Sequence, residues 1–131
     1  MKLKQDCVRY VLLSLEDQNF KMTQRPVQGM EIANVLQNEN YSVEDIRYTL
    51  LQLYDGGFLI ARPLQTKLAT DVVVSDISWK GHELLDSIRD DEVWKQTKKA
   101  TSGLKSVSIG ILSNVASTVL TGIIKQQTGL L

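Results

Sequence analysis

The segment that most constrains the fold is "NENYSVEDIRYTLLQLYDGG". Ser42 stands three residues before Asp45, the spacing at which a hydroxyl and a carboxylate cap the first turn of a helix. The closing glycine pair supplies the conformation in which helices end. The pattern predicts a helix over residues 43–55 with an apolar face made of Ile46, Leu50 and Leu53.

The chain before this helix shows helical periodicity twice. Apolar residues recur at spacings of three and four over residues 2–17, and a shorter amphipathic pattern covers residues 29–37. The connection between them contains proline and glycine and predicts a short edge strand near residues 25–28. The second helix is expected to bury Met30, Ala33 and Leu36.

The chain after the glycine pair changes to β-branched and apolar residues. Residues 58–64 and 71–79 predict two strands joined by a polar turn at 65–70, which together form a β-hairpin. A helix over residues 80–89 follows, and Asp90 can cap another helix after it. One bent helix, or two helices joined near Asp90, would fit the pattern. Three helices followed by a hairpin predict an α+β, mainly helical fold, a winged helix-turn-helix domain with a C-terminal helical extension.

The last part of the chain is unusually poor in charge. Residues 106–124 carry none, and nine of these 19 residues are Ser, Thr, Asn or Gly. The length suits a bilayer span, but the polar content offsets most of the gain from insertion, so we do not expect an integral membrane helix. We place a domain boundary at 101–103, between a winged-helix-like domain (1–100) and an apolar association helix (101–131). The predicted association residues are Leu112, Val115, Ala116, Val119, Leu120, Ile123 and Ile124.

The composition narrows the possible functions. The 131 residues include 15 basic and 15 acidic side chains, so no net charge attracts nucleic acid or an anionic surface. Cys7 is the single cysteine, and no secretory pattern opens the chain, which indicates the cytoplasm. No motif for catalysis, a metal or a cofactor is present. We therefore expect a non-enzymatic protein without cofactor or metal.

Two aromatic residues and one histidine are interpreted structurally. Trp79 and Trp94 are expected to be packing anchors that hold the following helix against the hairpin. His82 lacks the companions of a zinc site or a catalytic pair. The acidic cluster around Asp90 is interpreted as a helix cap and a solvated face.

A long run, "DISWKGHELLDSIRDDEVW", carries a resemblance to known proteins. With "MKLKQDCVR" at the start and the serine-rich apolar tail, it resembles an uncharacterised family of small proteins found in bacteria, phages and prophages. The resemblance covers nearly the whole chain and is looser between Phe20 and Arg62. It implies a winged-helix domain with a helical extension and a phage-associated setting, and it implies no particular biochemical activity.

Basic residues that could contact nucleic acid are few. A recognition helix at 43–55 would present three carboxylates against one arginine, which matches a polyanion poorly. The only basic patch comes from lysines after Trp94, and it also fits a solvated helix end. The candidate contacts to anions or nucleic acid are Arg47, Gln52, Arg62, Lys67, Lys95, Lys98, Lys99 and Lys105.

These observations favour a protein that acts through protein contacts. We expect a winged-helix protein that binds itself, a host protein or both, as a phage or prophage accessory protein that modulates a host protein. The cytoplasm, that of the host if phage-encoded, is the expected location. An alternative is a DNA-binding transcriptional regulator dimerised by its C-terminal helix. A third is a membrane-associating protein that uses residues 106–124, and docking of that helix onto its own domain also stays open.

Overall fold

The computed structural model describes residues 2–17, 20, 22, 24–67 and 69–129. Most residues in regular secondary structure belong to helices, and three short strands form one antiparallel sheet. The predicted class, α+β and mainly helical, is confirmed. In chain order the elements are α1 (Gln5–Glu16), β1 (Val27–Gln28), α2 (Gly29–Leu36), α3 (Val43–Asp55), β2 (Leu59–Gln65), β3 (Thr70–Ile77), α4 (Trp79–Ile88), α5 (Asp91–Thr101) and α6 (Ile109–Thr128).

The sheet has the strand order β1-β3-β2. Val27 of β1 pairs with Val74 of β3, which confirms the predicted edge strand. Strands β2 and β3 form the predicted hairpin, with Ile60 opposite Asp76. The predicted turn at 65–70 includes Leu68, which lies outside the described residues.

Helix α3 has the bounds that its caps predict. The Asp45 amide donates to Ser42 Oγ at 3.1 Å, and the Ser42 amide donates to Asp45 Oδ2 at 3.0 Å, so the capping box is complete. Lys4 Nζ also donates to Asp45 Oδ2 at 2.9 Å. The bonds from Lys4 and Ser42 hold the pKa of Asp45 below its usual value. Gly57 has a φ of 84°, the left-handed conformation expected after the helix.

One hydrophobic core extends from α1 to α6. Its largest fully buried side chains include Leu12, Ile46, Phe58, Leu85 and Leu112. The predicted boundary at 101–103 coincides with the end of α5, but the core continues beyond it into α6. Helix α6 packs against α4 and α5. The beginning of the predicted association helix is therefore packed on the domain that precedes it.

The predicted inner face of α2 is wrong at one position. Met30 is exposed, and Ile32 is buried in its place together with Ala33 and Leu36. Gly29 explains the difference, because a Cβ there would lie 2.4 Å from a carboxylate oxygen of Asp71. This close approach turns the 29, 32, 33, 36 face inward and Met30 outward.

The predicted end of the second hairpin strand is also wrong. Strand β3 ends at Ile77, because Ser78 Oγ accepts a hydrogen bond from the Gly81 amide at 3.1 Å and caps a new helix. Trp79 is consequently the first residue of α4, with 81% of its surface exposed, and it is not a packing anchor. Trp94 is buried as predicted, but it packs against α1, where Asp6 accepts its indole N–H at 3.0 Å.

Arg9 of α1 contacts the part of the "DISWKGHELLDSIRDDEVW" run where α4 ends and α5 begins. Arg9 donates to the carbonyl oxygens of Ile88 (2.8 Å) and Arg89 (2.9 Å) and pairs with Asp91 at 2.8 Å. Its guanidinium carbon lies 5.8 Å from the Trp94 ring centroid. Asp90 caps α5 by accepting from the Val93 amide, as predicted. The end of this run, residues 88–94, therefore contributes to the packing of α1, α4 and α5.

Candidate functional site

The first part of α6, residues 109–116, is docked on the domain and is named the proximal half. Ser108 caps it by accepting a hydrogen bond from the Ile111 amide at 3.2 Å. Leu112 and Ala116 are completely buried, and Ile109 is nearly so. Two of the predicted association residues, Leu112 and Ala116, are thus occupied by contacts within the chain.

The remainder of α6, residues 117–128, is named the distal half, and none of its residues is buried. Ile124 is 46% exposed, and Val119, Leu120 and Ile123 are only partly covered. At 100° per residue these four continue the stripe that docks in the proximal half. The apolar stripe of α6 therefore extends past the domain that buries its beginning.

The back of the distal half is polar without being charged, apart from Lys125. Thr118, Thr121 and Thr128 each donate their hydroxyl to the carbonyl oxygen four residues earlier, at 2.9, 2.9 and 2.8 Å. These bonds satisfy the hydroxyls within the helix. Lys125 lies on the side opposite the apolar stripe, so no charge interrupts that stripe.

The eight candidate anion contacts are distributed over several elements. Arg47 and Gln52 lie on α3, Arg62 lies on β2, Lys67 lies in the hairpin loop and Lys105 follows α5. The three others are on α5, where Lys98 Nζ pairs with Asp6 at 3.0 Å. The eight therefore do not share one element, and Lys98 is already paired with a carboxylate.

The exposed side of α3 is acidic. Glu44 and Asp55 are exposed, whereas Arg47 is partly buried and donates to the Thr70 carbonyl oxygen at 2.9 Å. A cleft of about 300 Å³ lies where Tyr48 and Gln52 approach residues 106–108. The connection before α6 thus partly covers the side of α3 that bears Tyr48 and Gln52.

The titratable side chains do not form a recognisable metal site in the described part of the chain. Within the described ranges, no three or more His, Cys, Asp or Glu side chains come together in a way that could hold a metal ion. His82 is exposed on α4. Cys7 is buried, and burial raises the pKa of its thiol, which accepts a hydrogen bond from Thr49 Oγ1 at 3.3 Å.

Helix α6, with 20 residues, is the longest of the described helices. In the part of the chain that the structure describes, no helix combines the length and the apolar character needed to cross a bilayer.

The sequence interpretation missed one exposed residue, Trp79. The sequence does contain a signal for the correct position of Trp79. Ser78 precedes a helix-forming run and can cap it, which places Trp79 in the first turn of a helix and not in a strand. Exposure of its ring depends on the packing of the strand end and could not be read from spacing.

Comparisons with known proteins agree with the resemblance at the level of the family. Residues 2–108 match the family described as "Hypothetical protein (DUF2513)". A Haemophilus influenzae protein described as "Uncharacterized protein" is 26% identical over 121 residues, which cover 92% of this chain and 96% of that protein. No solved structure matches the chain. Because the match covers far more than half of its length, the chain belongs to the DUF2513 family.

Proposed function

We propose that this protein associates through the distal half of α6 and works by protein contacts, without catalysis. The observation that carries the proposal is the continuous apolar stripe of α6, which is buried at Leu112 and Ala116, only partly covered at Val119, Leu120 and Ile123, and exposed at Ile124. Water-exposed aliphatic side chains on one helix face gain free energy when a partner covers them. The partner is a second copy, a host protein or both.

A second copy meets the chemical requirements of this surface. Two distal halves would place aliphatic stripes against each other, with Lys125 on the outer side of each helix. The chain has no net charge to oppose association. The distal half is about 18 Å long at about 1.5 Å per residue. It buries less than the roughly 800 Å² per partner of a typical stable interface, so we expect a weak, micromolar dimer.

The wider setting rests on the architecture and on the resemblance. The order α1, β1, α2, α3, β2, β3 is the element order expected of a winged helix, and we propose that assignment for residues 1–100. The resemblance of the "DISWKGHELLDSIRDDEVW" run supports a phage-associated setting. In that setting the proposed role is that of an accessory protein that modulates a host protein in the cytoplasm.

A DNA-binding regulator is the second candidate, and the same element order favours it. Its recognition helix would be α3, whose exposed charges are the carboxylates of Glu44 and Asp55. Arg47 would have to leave the Thr70 carbonyl oxygen to reach a base or a phosphate. These features support protein contacts over DNA contacts.

Light scattering across a concentration series tests the association. The variant Ile123→Asp places a charge on the stripe, and the matched control Thr121→Asp places the same charge on the opposite side of the helix. We expect the wild type and Thr121→Asp to gain mass with concentration and Ile123→Asp to stay monomeric. Truncation before α6 is unsuitable because it would also remove Leu112 from the core.

Two further assays address the other candidates. Fluorescence anisotropy with a random duplex at low salt should show no binding if α3 does not contact DNA, since DNA-binding domains retain salt-sensitive, non-specific affinity. Flotation with anionic vesicles should leave the protein in the unbound fraction. Binding in either assay, combined with a monomeric wild type, would favour the corresponding alternative over the proposal.

A further inference from the structure

Among the described residues, Trp79 is the most exposed large apolar side chain, although tryptophan is highly buried in most proteins. Its ring makes no hydrogen bond, ring contact or cation–π contact with the part of the chain that the structure describes. Trp94, in contrast, is buried and donates its indole N–H to Asp6. The side chain of Trp79 therefore contributes far less to the packing of the fold than that of Trp94.

The backbone on both sides of Trp79 is fixed. Ser78 Oγ donates to the Gly57 carbonyl oxygen at 2.6 Å and accepts from the Gly81 amide at 3.1 Å. Lys80 Nζ donates to the carbonyl oxygen of Gly56 at 3.0 Å. A Cβ on Gly81 would lie 2.1 Å from a carbonyl oxygen, so the start of α4 is packed closely on the β2 end. The indole is thus presented from a rigid base, which lowers the entropic cost of binding.

The surroundings of Trp79 are apolar and acidic. Asp76 precedes it by three residues and is exposed, and its cross-strand neighbour Ile60 is 54% exposed. Glu83 is exposed one helical turn after Trp79. The nearest cation in sequence, Lys80, is directed to the Phe58 ring, with its Nζ 4.6 Å from the ring centroid. We name Ile60, Asp76, Trp79 and Glu83 the Trp79 patch.

We propose that the Trp79 patch is a docking surface for a basic, partly aliphatic segment of a partner protein. The face of an indole attracts an arginine or lysine side chain, and the carboxylate of Glu83, one helical turn away, strengthens that attraction. Ile60 offers an apolar contact for an aliphatic neighbour of the cation. Tryptophan is enriched among the residues that dominate interface affinity. This surface shares no residue with the distal half of α6, so the two proposals are tested by different substitutions.

The test uses fluorescein-labelled peptides in a glycine–serine background. One contains an alternating leucine–arginine core, the second has glutamate for each arginine, and the third has serine for each leucine. Fluorescence anisotropy against the full chain should show saturable binding of the first, weakened at high salt, and little binding of the others. Trp79→Ala should weaken that binding about 30-fold, and Glu83→Gln about threefold at low salt.

The controls separate the patch from general stickiness and from misfolding. Val35→Ala removes another exposed apolar side chain, on α2, and should leave the affinity unchanged. Because 81% of the surface of Trp79 is exposed, Trp79→Ala should keep the circular dichroism and unfolding midpoint of the wild type. Absence of saturable binding by the leucine–arginine peptide, or equal affinity in Trp79→Ala and wild type, would overturn the proposal.

Discussion

Replacement of Leu112 by alanine tests whether the proximal half of α6 belongs to the core. Leu112 has no exposed surface, and it packs in a cluster that reaches back to α1. The change removes three carbon atoms, worth about 0.8 kcal/mol each on transfer from water, or about 2.4 kcal/mol. A cavity left at a buried site adds to this cost, so we expect a loss of about 3 kcal/mol in the free energy of unfolding.

Urea unfolding followed by circular dichroism measures this loss directly. The matched control is Ile111→Ala, the adjacent position in the same helix, whose side chain is exposed and should lose less than about 0.5 kcal/mol. Both variants should be compared at low concentration, where association does not contribute. If Leu112→Ala lost less than about 1 kcal/mol, or no more than Ile111→Ala, the docking of α6 would be refuted.

Three other predictions follow from local contacts. Gly81→Ala should lower the free energy of unfolding by more than about 3 kcal/mol or prevent folding, because the new Cβ would lie 2.1 Å from a carbonyl oxygen. Gly122→Ala, in open space within a helix, should stabilise the protein by about 0.5–1 kcal/mol. Equal unfolding midpoints of the two variants would contradict this prediction. Cys7 should react slowly with a thiol reagent in the native state and quickly in urea, since burial raises its pKa and blocks access; rapid native labelling would be the opposite result. Ser42→Ala should lower the free energy of unfolding by about 1 kcal/mol, because it removes the cap of α3. The folded state lowers the pKa of Asp45, so its stabilisation should be complete above the unfolded pKa and should disappear as the pH falls through the folded pKa. The unfolding free energies of wild type and Asp45→Asn should therefore converge in acid, and a difference that stays constant with pH would be evidence against the capping box.

Local signals in the sequence predicted the elements of the fold well. Helix α3 begins and ends where Ser42 and the glycine pair predict, because caps act over a few residues and leave a clear pattern. The hairpin followed in the same way from β-branched residues and a polar turn. Trp79 was misplaced by a competing signal, since an apolar residue after a strand resembles its continuation unless the cap at Ser78 is given priority.

The division of α6 into two halves could not be predicted. Leu112, Ala116, Val119 and Ile123 have the same spacing and the same apolar character, so the sequence gives them one common role. Which of them is buried depends on where α4 and α5 end in space, a tertiary property with no local signal. The same limit applies to the candidate anion contacts, because only the structure shows that Arg47 donates to the backbone of β3.

Residue-resolved hydrogen exchange of α6 at low and high protein concentration tests the central claim most directly. The account predicts that amides of the proximal half are strongly protected at both concentrations, because the domain itself holds them. Amides of the distal half should exchange quickly in dilute protein and gain protection as concentration rises. Distal-half exchange that is the same at both concentrations, or a proximal half that exchanges as quickly as the distal half, would contradict it.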